Sequence, residues 1–374
     1  MINSVQRVLV YYFAFPHYRR AILDAMMEMA TREDDLEIEF AAGVRSKANI
    51  EVLSRTQFPA MRELSTISVG AVQWQRGIFR HASSSRFKAV VLGPSIASPT
   101  TLAILVLRRV CGRRSYLWGQ CGRPGDRSLR RYAQELLNRL ADAVLVYGEA
   151  EARAATELGL DPRRVRVVHN ANEQNTEAAS QGDRLYEEVR CKFEAAKEDG
   201  CLSLLYLGRL VPEKRVACVL DASRILLHDF PKLEMHVVGG GSELEILRAR
   251  YPDSHVFFHG AVYSREELQR HMQRATMVCS PYHMGLLAID ALRAGIPVLL
   301  PNNPMNASEV EALTPDVNAR VFRAGDAEAI AQSAREFIDV FPSVDREVFV
   351  RVRREQLSIW SPAAVARNIL EAVL

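Results

Sequence analysis

Apolar residues along the chain fall into short runs, most of them followed by glycine, proline or asparagine and then by a segment with helical spacing. The runs at 7–13 (RVLVYYF), 89–92, 115–118, 143–147 and 165–168 predict buried strands, and 36–42 alternates as a strand with one polar face. Ile22, Leu23, Met26 and Met27 share one face of a helix predicted over 19–30, and further helices are predicted over 99–110 and 126–141. Between 45 and 86 the pattern is least regular and predicts loops. The stretch 172–183 (NEQNTEAASQGD) is polar and without period, which predicts a connection. Alternation then restarts, with strands at 202–207, 233–238, 255–258, 276–279 and 297–300 and helices at 214–228, 242–250, 264–273 and 285–294. Helices over 326–341, 345–355 and 362–374 close the chain. Strands alternating with helices predict parallel sheets covered on both faces.

The division that follows is an N-terminal domain over 1–175, a C-terminal domain over 176–355, and a last helical segment over 356–374 crossing back to the first domain, packed there through Trp360. The expected fold class is α/β, two Rossmann-like doubly wound parallel-sheet domains facing a cleft, with ligands at the carboxyl ends of the strands. At 374 residues the chain exceeds one ordinary core, and 48% hydrophobic residues describe a globular protein. No apolar run approaches the ~20 residues of a spanning helix. The first residues read as a strand, so no signal peptide is expected. Six cysteines are scattered without metal-ligand spacing, which suits reduced thiols and a cytoplasmic location.

Charge adds a feature that the apolar pattern lacks. Residues 45–131 hold 16 Lys/Arg against 3 Asp/Glu, an excess of 13, so with a net charge of +3 the remainder carries −10. Such a segment suits anionic lipid, a diphosphate-bearing substrate or nucleic acid; a solvated surface is the plainer alternative.

Four features of the second half point to an anionic ligand. The strand 202–207 ends in Gly208, followed by Arg209 and Lys214 across a turn containing Pro212; Arg offers a planar fork for phosphate oxygens and Lys a compact charge. The strand 233–238 runs into Gly239-Gly240-Gly241-Ser242, where amides can approach a ligand closely, although the spacing is not that of the dinucleotide fingerprint. The third is 257–262 (FFHGAV), a strand end able to meet a flat base. The fourth is 281–298 (PYHMGLLAIDALRAGIPV), in which a loop opens a helix whose amides at Gly285 and Leu286 can hold a diphosphate. His17 and His283 sit beside strand ends and are candidates to line the cleft; His236 and His255 lie within strands and read as structural.

In order and spacing, residues 202–323 resemble the donor domain of the retaining GT-B glycosyltransferases of the group 1 family, with its strand–GR–x₄–K, VVGxG, FxGxV and GLxxx(E/D)AxxxGxPV pattern. Pro16-His17-Tyr18-Arg19 and Trp118-Gly119-Gln120 resemble the acceptor half less specifically. The resemblance implies that Arg209 and Lys214 stabilise the departing diphosphate, with Gly208, Gly240 and Gly241 lining the nucleotide pocket. It also implies that the backbone near Val262 meets the base, Asp290 holds the ribose hydroxyls, and His17, Arg19 and Gln120 lie on the acceptor side. A nucleotide-sugar is then a co-substrate, and no cofactor or metal is expected.

Two departures from the family pattern stand out. Where the family has a glutamate on the donor sugar, eight positions before Asp290, this chain has Tyr282, followed by His283. Downstream, Glu309 resembles the carboxylate of a polysaccharide-building subset, and either Glu309 or His283 is expected to take the missing role; the plainer alternative for Glu309 is a helix-end charge behind Ser308 as N-cap. The leading expectation is a retaining hexosyltransferase moving a sugar from a UDP- or GDP-sugar to a lipid-linked or polysaccharide acceptor, peripheral on the inner membrane face through 45–131. The alternatives are a sugar-nucleotide 2-epimerase, a non-catalytic nucleotide-sugar-binding protein, and a glycosyltransferase acting on nucleic acid.

Overall fold

The structure is a computed structural model that describes residues 5–44, 51–69, 72–122, 129–172 and 182–374. It divides into two compact units, Met1–Gln174 with Ile359–Leu374, and Asn175–Ser358.

The first unit is built from β1 (Gln6–Ala14), α1 (Arg20–Arg32), β2 (Leu36–Gly43), β3 (Met61–Leu64), β4 (Thr66–Val69), β5 (Val72–Gln75), α2 (Ile78–Ala82), β6 (Ala89–Leu92), α3 (Pro99–Val110), β7 (Arg114–Trp118), α4 (Leu129–Leu140), β8 (Ala143–Val146), α5 (Glu149–Glu157) and β9 (Val165–Val167). Seven strands form one sheet in the order β3-β2-β1-β6-β7-β8-β9, all pairs parallel, so the winding reverses between β1 and β6. Alternate residues of β1 serve opposite faces: Val8, Val10 and Tyr12 join Ile22, Leu23 and Met26 of α1, while Leu9 and Tyr11 join Ile104 and Leu105 of α3.

The segment expected to be loops contains more order than its pattern suggests. Residues 45–50 and 70–71 lie outside the described residues, but β3, the antiparallel β4–β5 hairpin and α2 are regular. Four-residue strands are too short to display a period, and the hairpin is anchored by a buried polar side chain. Gln75 Nε2 donates to the Phe13 carbonyl at 2.7 Å and its Oε1 accepts from the Tyr11 hydroxyl.

The second unit comprises α6 (Gly182–Asp199), β10 (Ser203–Leu207), α7 (Ala217–Leu226), β11 (Glu234–Val238), α8 (Leu244–Arg250), β12 (Val256–Gly260), α9 (Arg265–Arg274), β13 (Met277–Cys279), α10 (Leu287–Ala294), β14 (Val298–Asn302), β15 (Ala319–Arg323), α11 (Ala327–Val340) and α12 (Arg346–Ile359). Its six-stranded sheet runs β12-β11-β10-β13-β14-β15, again all parallel. In this unit two elements escaped the sequence pattern, α6 and β15, as α5 did in the first. The end of the polar stretch expected as a connection, 182–183, is the first turn of α6, whose inward face is Tyr186, Val189, Phe193 and Ala196; 173–181 lie outside the described residues. The last helix, α13 (Pro362–Val373), packs against α1 in the first unit. It starts on a Ser361 cap that accepts from the Ala364 amide at 3.1 Å. Trp360 is buried beside the His169 ring, 4.6 Å between centroids.

Candidate active site

The three loops that follow β10, β11 and β12 are laced together by backbone hydrogen bonds. Gly208 donates to the Val238 carbonyl at 3.0 Å, Leu210 to Gly240 at 2.9 Å, Glu243 to Leu210 at 3.0 Å and Gly239 to Gly260 at 2.8 Å. Only glycine permits this approach. A Cβ at residue 239 would stand 1.8 Å from the Gly208 carbonyl oxygen, and one at residue 241 would stand 2.2 Å from that of Leu210. Gly240 faces Ala261, and Val262 is half-buried against the core just beyond. The Tyr206 hydroxyl, at the end of β10, donates to the Arg209 carbonyl at 2.8 Å and fixes the loop that presents Arg209 to solvent.

A 3₁₀ turn at Pro212–Lys214 follows and ends on Arg215 in the left-handed region, φ 50°. Lys214 Nζ is 3.3 Å from His283 Nε2 and 3.5 Å from the His283 carbonyl oxygen. Burial, reinforced by the neighbouring Arg209 charge, lowers the Lys214 ammonium from its ordinary value to about 8. Among the described residues no carboxylate lies within 4 Å of Arg209, Lys214 or Arg215. Three cations thus sit close in sequence with no carboxylate partner among the described residues.

The loop after β13 completes the group. Ser280 Oγ donates to the His283 carbonyl at 2.8 Å, Asn303 Nδ2 to the Tyr282 carbonyl at 2.6 Å, and the Met284 amide to Asn306 Oδ1 at 2.9 Å. The Tyr282 ring lies under the Arg215 guanidinium, 4.0 Å from its centroid. Gly285 and Leu286 lead into α10, and among the described residues their amides find no acceptor in the chain. At the far end, Gly295 takes φ 72°, and the buried Arg353 donates to the Leu292 carbonyl at 2.9 Å and to that of Arg293 at 2.5 Å. The helix is therefore fixed from behind while its first amides stay open to an anion.

Asp290, one turn into α10, is 3.0 Å from Arg293 Nη1 and half-buried. Glu309 lies in a 3₁₀ turn, Ser308–Ala312, that packs on α10, and it is 3% exposed. The cap of that turn is Ala307, not Ser308, and the Ser308 hydroxyl is buried without a partner. Glu309 therefore sits in the first turn of a short helical segment, as the plainer alternative has it, but as a buried carboxylate and without Ser308 as its cap. The structure brings Arg209, Lys214, Tyr282, His283, Gly285 and Leu286 into one neighbourhood, with Asp290 and Glu309 on and against α10.

In the first unit Arg19 and His17 part company. His17 is exposed, and its Nδ1 and amide both face the Glu51 carbonyl oxygen, at 3.3 and 3.0 Å. Arg19 is buried in a cage of aromatic rings: its guanidinium is 4.3 Å from the Tyr12 centroid, 4.2 Å from that of Trp118 and 5.7 Å from that of Tyr147, and it donates to the Tyr147 hydroxyl. Gln120 is half-buried two residues beyond Trp118. Sequence reasoning missed Arg215, the two clamping asparagines, and Tyr12 and Tyr147; only the cation directly after Lys214 carried a signal. Among the described residues no group of three or more His, Cys, Asp or Glu is placed to hold a metal ion.

Two parallel-sheet units with these loops define the GT-B fold, and solved structures agree. Over 98% of this chain and 99% of theirs, the lipopolysaccharide outer core galactosyltransferase WaaB superposes with a TM-score of 0.72 at 13% identity, and Anabaena HepE in complex with UDP with 0.67 at 14%. A glycosyltransferase from Rickettsia africae gives 0.69 at 12% identity, over 99% of this chain and 98% of that one. Residues 190–341, which hold the cations, the glycine loops and α10, match the family of glycosyl transferases group 1. No curated protein matches the chain.

Proposed function

We propose that this protein is a retaining, metal-independent glycosyltransferase that moves a hexosyl group from a UDP- or GDP-sugar to a lipid-linked or polysaccharide acceptor. The observation that carries this reading is the charge of Arg209 and Lys214, without a carboxylate partner among the described residues, joined through the Lys214–His283 contact to the loop that leads into the open amides of α10. Charge builds on the diphosphate as the sugar leaves, and fixed cations and helix amides stabilise that charge without reorganising. Lys214 donates to the His283 ring, and a bound diphosphate competes for the same ammonium protons. Gly208, Gly240 and Gly241 line the nucleotide pocket, the backbone at Val262 meets the base, and Asp290 shares itself between Arg293 and the ribose hydroxyls. Glu309 holds the donor sugar in place of the carboxylate that Tyr282 replaces, and His17, Arg19 and Gln120 serve the acceptor. HepE is described in complex with UDP and glucose, which supports a UDP-sugar among the donors.

Contact with anionic membrane draws support from the surface of the first unit. Leu102, Val106 and Val110 are exposed at four-residue spacing on α3, and Tyr132 and Leu136 are exposed on α4. Val72 and Trp74 are exposed on β5, and both α4 and β5 pack against α3. Arg109 is exposed on α3, Arg76 just after β5, Arg80 on α2 and Arg114 at the start of β7. Apolar side chains beside arginines suit an anionic lipid surface on the cytoplasmic side. Among the described residues no helix is long and apolar enough to cross a membrane.

The test is a mass-spectrometric screen of sugar nucleotides without acceptor. The expected result is slow release of nucleoside diphosphate and free sugar from one donor. Tight nucleotide binding with no release from any donor, followed by no transfer, would favour the non-catalytic binding protein that Tyr282 suggests. Preference for DNA over anionic vesicles at matched salt would favour a nucleic acid acceptor.

A further inference from the structure

Among the described residues three arginines are buried, and two of them donate to backbone carbonyls. Arg108 donates to the carbonyls of Ala82, Phe87 and Arg114, at 2.8, 3.2 and 2.8 Å, and Arg353 donates to two carbonyls at the end of α10. Arg19 is different. At 4% exposure its Nε and Nη1 are buried with no hydrogen-bond partner, while its Nη2 donates to the Tyr147 hydroxyl. Among the described residues no carboxylate lies within 4 Å of it. Burial pushes the Tyr12 and Tyr147 phenols up, so neither ring becomes the missing anion.

Cation–π contacts with Tyr12 and Trp118 offset part of the desolvation, but they leave the in-plane N–H groups unused. A second orphaned donor, Trp118 Nε1, lies in the same cage. A guanidinium edge without acceptors is the half of a fork whose usual other half is a carboxylate or phosphate. The location agrees. Tyr12 is near the end of β1, Trp118 ends β7, Tyr147 follows β8 and Arg19 follows β1. The cage therefore sits at the carboxyl edge of the sheet beside the β1/β6 reversal of winding, where open parallel sheets bind ligands.

We propose that the Arg19 cage is an oxyanion site that receives a phosphate or carboxylate group. Resting on the transferase reading above, that group belongs to the acceptor, so the acceptor is an acidic glycan or a phosphate-bearing lipid rather than a neutral sugar. The aromatic walls exclude water, and the unpartnered Nε–H and Nη1–H groups supply the donors beside the Nη2 that Tyr147 already holds.

The direct test is a soak of crystals of the full chain with sodium selenate, and separately with sodium glucuronate. The expected result is anomalous or difference density within hydrogen-bond distance of Arg19 Nη1. Absence of both ligands, with the guanidinium edge bonded to water or carbonyls, would overturn the proposal. Arg19→Met keeps the length and fills the cage without charge. If the arginine serves a ligand, melting temperature without anions is unchanged or raised, acceptor-dependent transfer is lost and acceptor-free donor hydrolysis persists. A melting temperature several degrees lower with transfer intact would make Arg19 a packing residue and overturn the site. Comparing inhibition of transfer by phosphate and by glucuronate separates the two sources of the oxyanion. Failure of donor hydrolysis in the wild-type chain would remove the transferase reading while leaving the soak result to judge the site itself.

Discussion

Two cation sites, one in each unit, present their charge in opposite ways. In the second unit Arg209 and Lys214 stand on glycine-bound loops, Arg209 open to solvent and Lys214 half-buried, among free backbone amides. In the first unit Arg19 is sealed among aromatic rings. Both lie at the carboxyl edge of a parallel sheet, and neither has a protein carboxylate within reach among the described residues. The first arrangement suits a highly charged group that stays hydrated on one side; the second suits a single charge carried on an apolar or ring-bearing body. Position at a strand end thus selects where a ligand binds, while the walls select which kind.

Removing the close approach that shapes the second site should do the most damage. Gly239→Ala must displace the Gly208 carbonyl and should cost about 4 kcal/mol or more, with loss of nucleotide binding. Gly112→Ala in the first unit, where a Cβ meets nothing within 4 Å, bears only the strain of its positive φ, about 1 kcal/mol. Urea denaturation of both variants checks the pair, and equal costs would mean that the glycine loops of the second unit are not specially packed.

Next in size is Glu309→Gln, which keeps shape and removes charge. Transfer should fall by roughly 100-fold while affinity for bare nucleoside diphosphate survives, because the carboxylate orients the sugar and not the phosphates. Unchanged transfer in steady-state kinetics would make Glu309 structural.

Much of the second site is legible in the amino-acid pattern. Gly208, Arg209, Lys214 and the glycines at 239–241 stand in local spacing, since each strand delivers its ligand group within a few residues of its end. Arg215 is not legible, because its place over Tyr282 depends on a left-handed φ and on a loop some 67 residues away. The first site is the harder case. Its rings come from three strands that are distant in sequence, and nothing at Tyr12 or Tyr147 distinguishes a cage wall from ordinary core. The parallel sheets followed from apolar runs; α6 did not, because its charged outer face masked a narrow apolar stripe, and β15 is too short, with two arginines and one half-exposed valine.

The half-buried cation of the second site should also respond to pH. Lys214 loses its proton near pH 8 in the folded protein, well below the ordinary 10.5 of the unfolded chain. Between those values the unfolded chain binds the extra proton, so stability rises as pH climbs from about 8 towards 10.5, and the penalty of the buried ammonium is fully present below 8. Diphosphate affinity runs the other way. It should fall by up to about tenfold per pH unit above 8, with proton uptake on binding, as calorimetry in buffers of differing ionisation enthalpy reads. Affinity flat from pH 7 to 9.5 would separate Lys214 from the phosphates.

A milder change is expected from Tyr282→Phe, which keeps the ring under Arg215 and removes one hydroxyl. Donor KM should rise less than about tenfold with kcat little changed, the scale of one hydrogen bond. A collapse of kcat would give Tyr282 the role assigned to Glu309.

Whether Arg209 and Lys214 stabilise the departing diphosphate is decided by single-turnover hydrolysis of the preferred sugar nucleotide. Arg209→Ala and Lys214→Ala, each saturated with donor, should release nucleoside diphosphate at least roughly 100-fold more slowly than the wild-type chain. Near-wild-type rates in both variants at saturating donor would contradict that role.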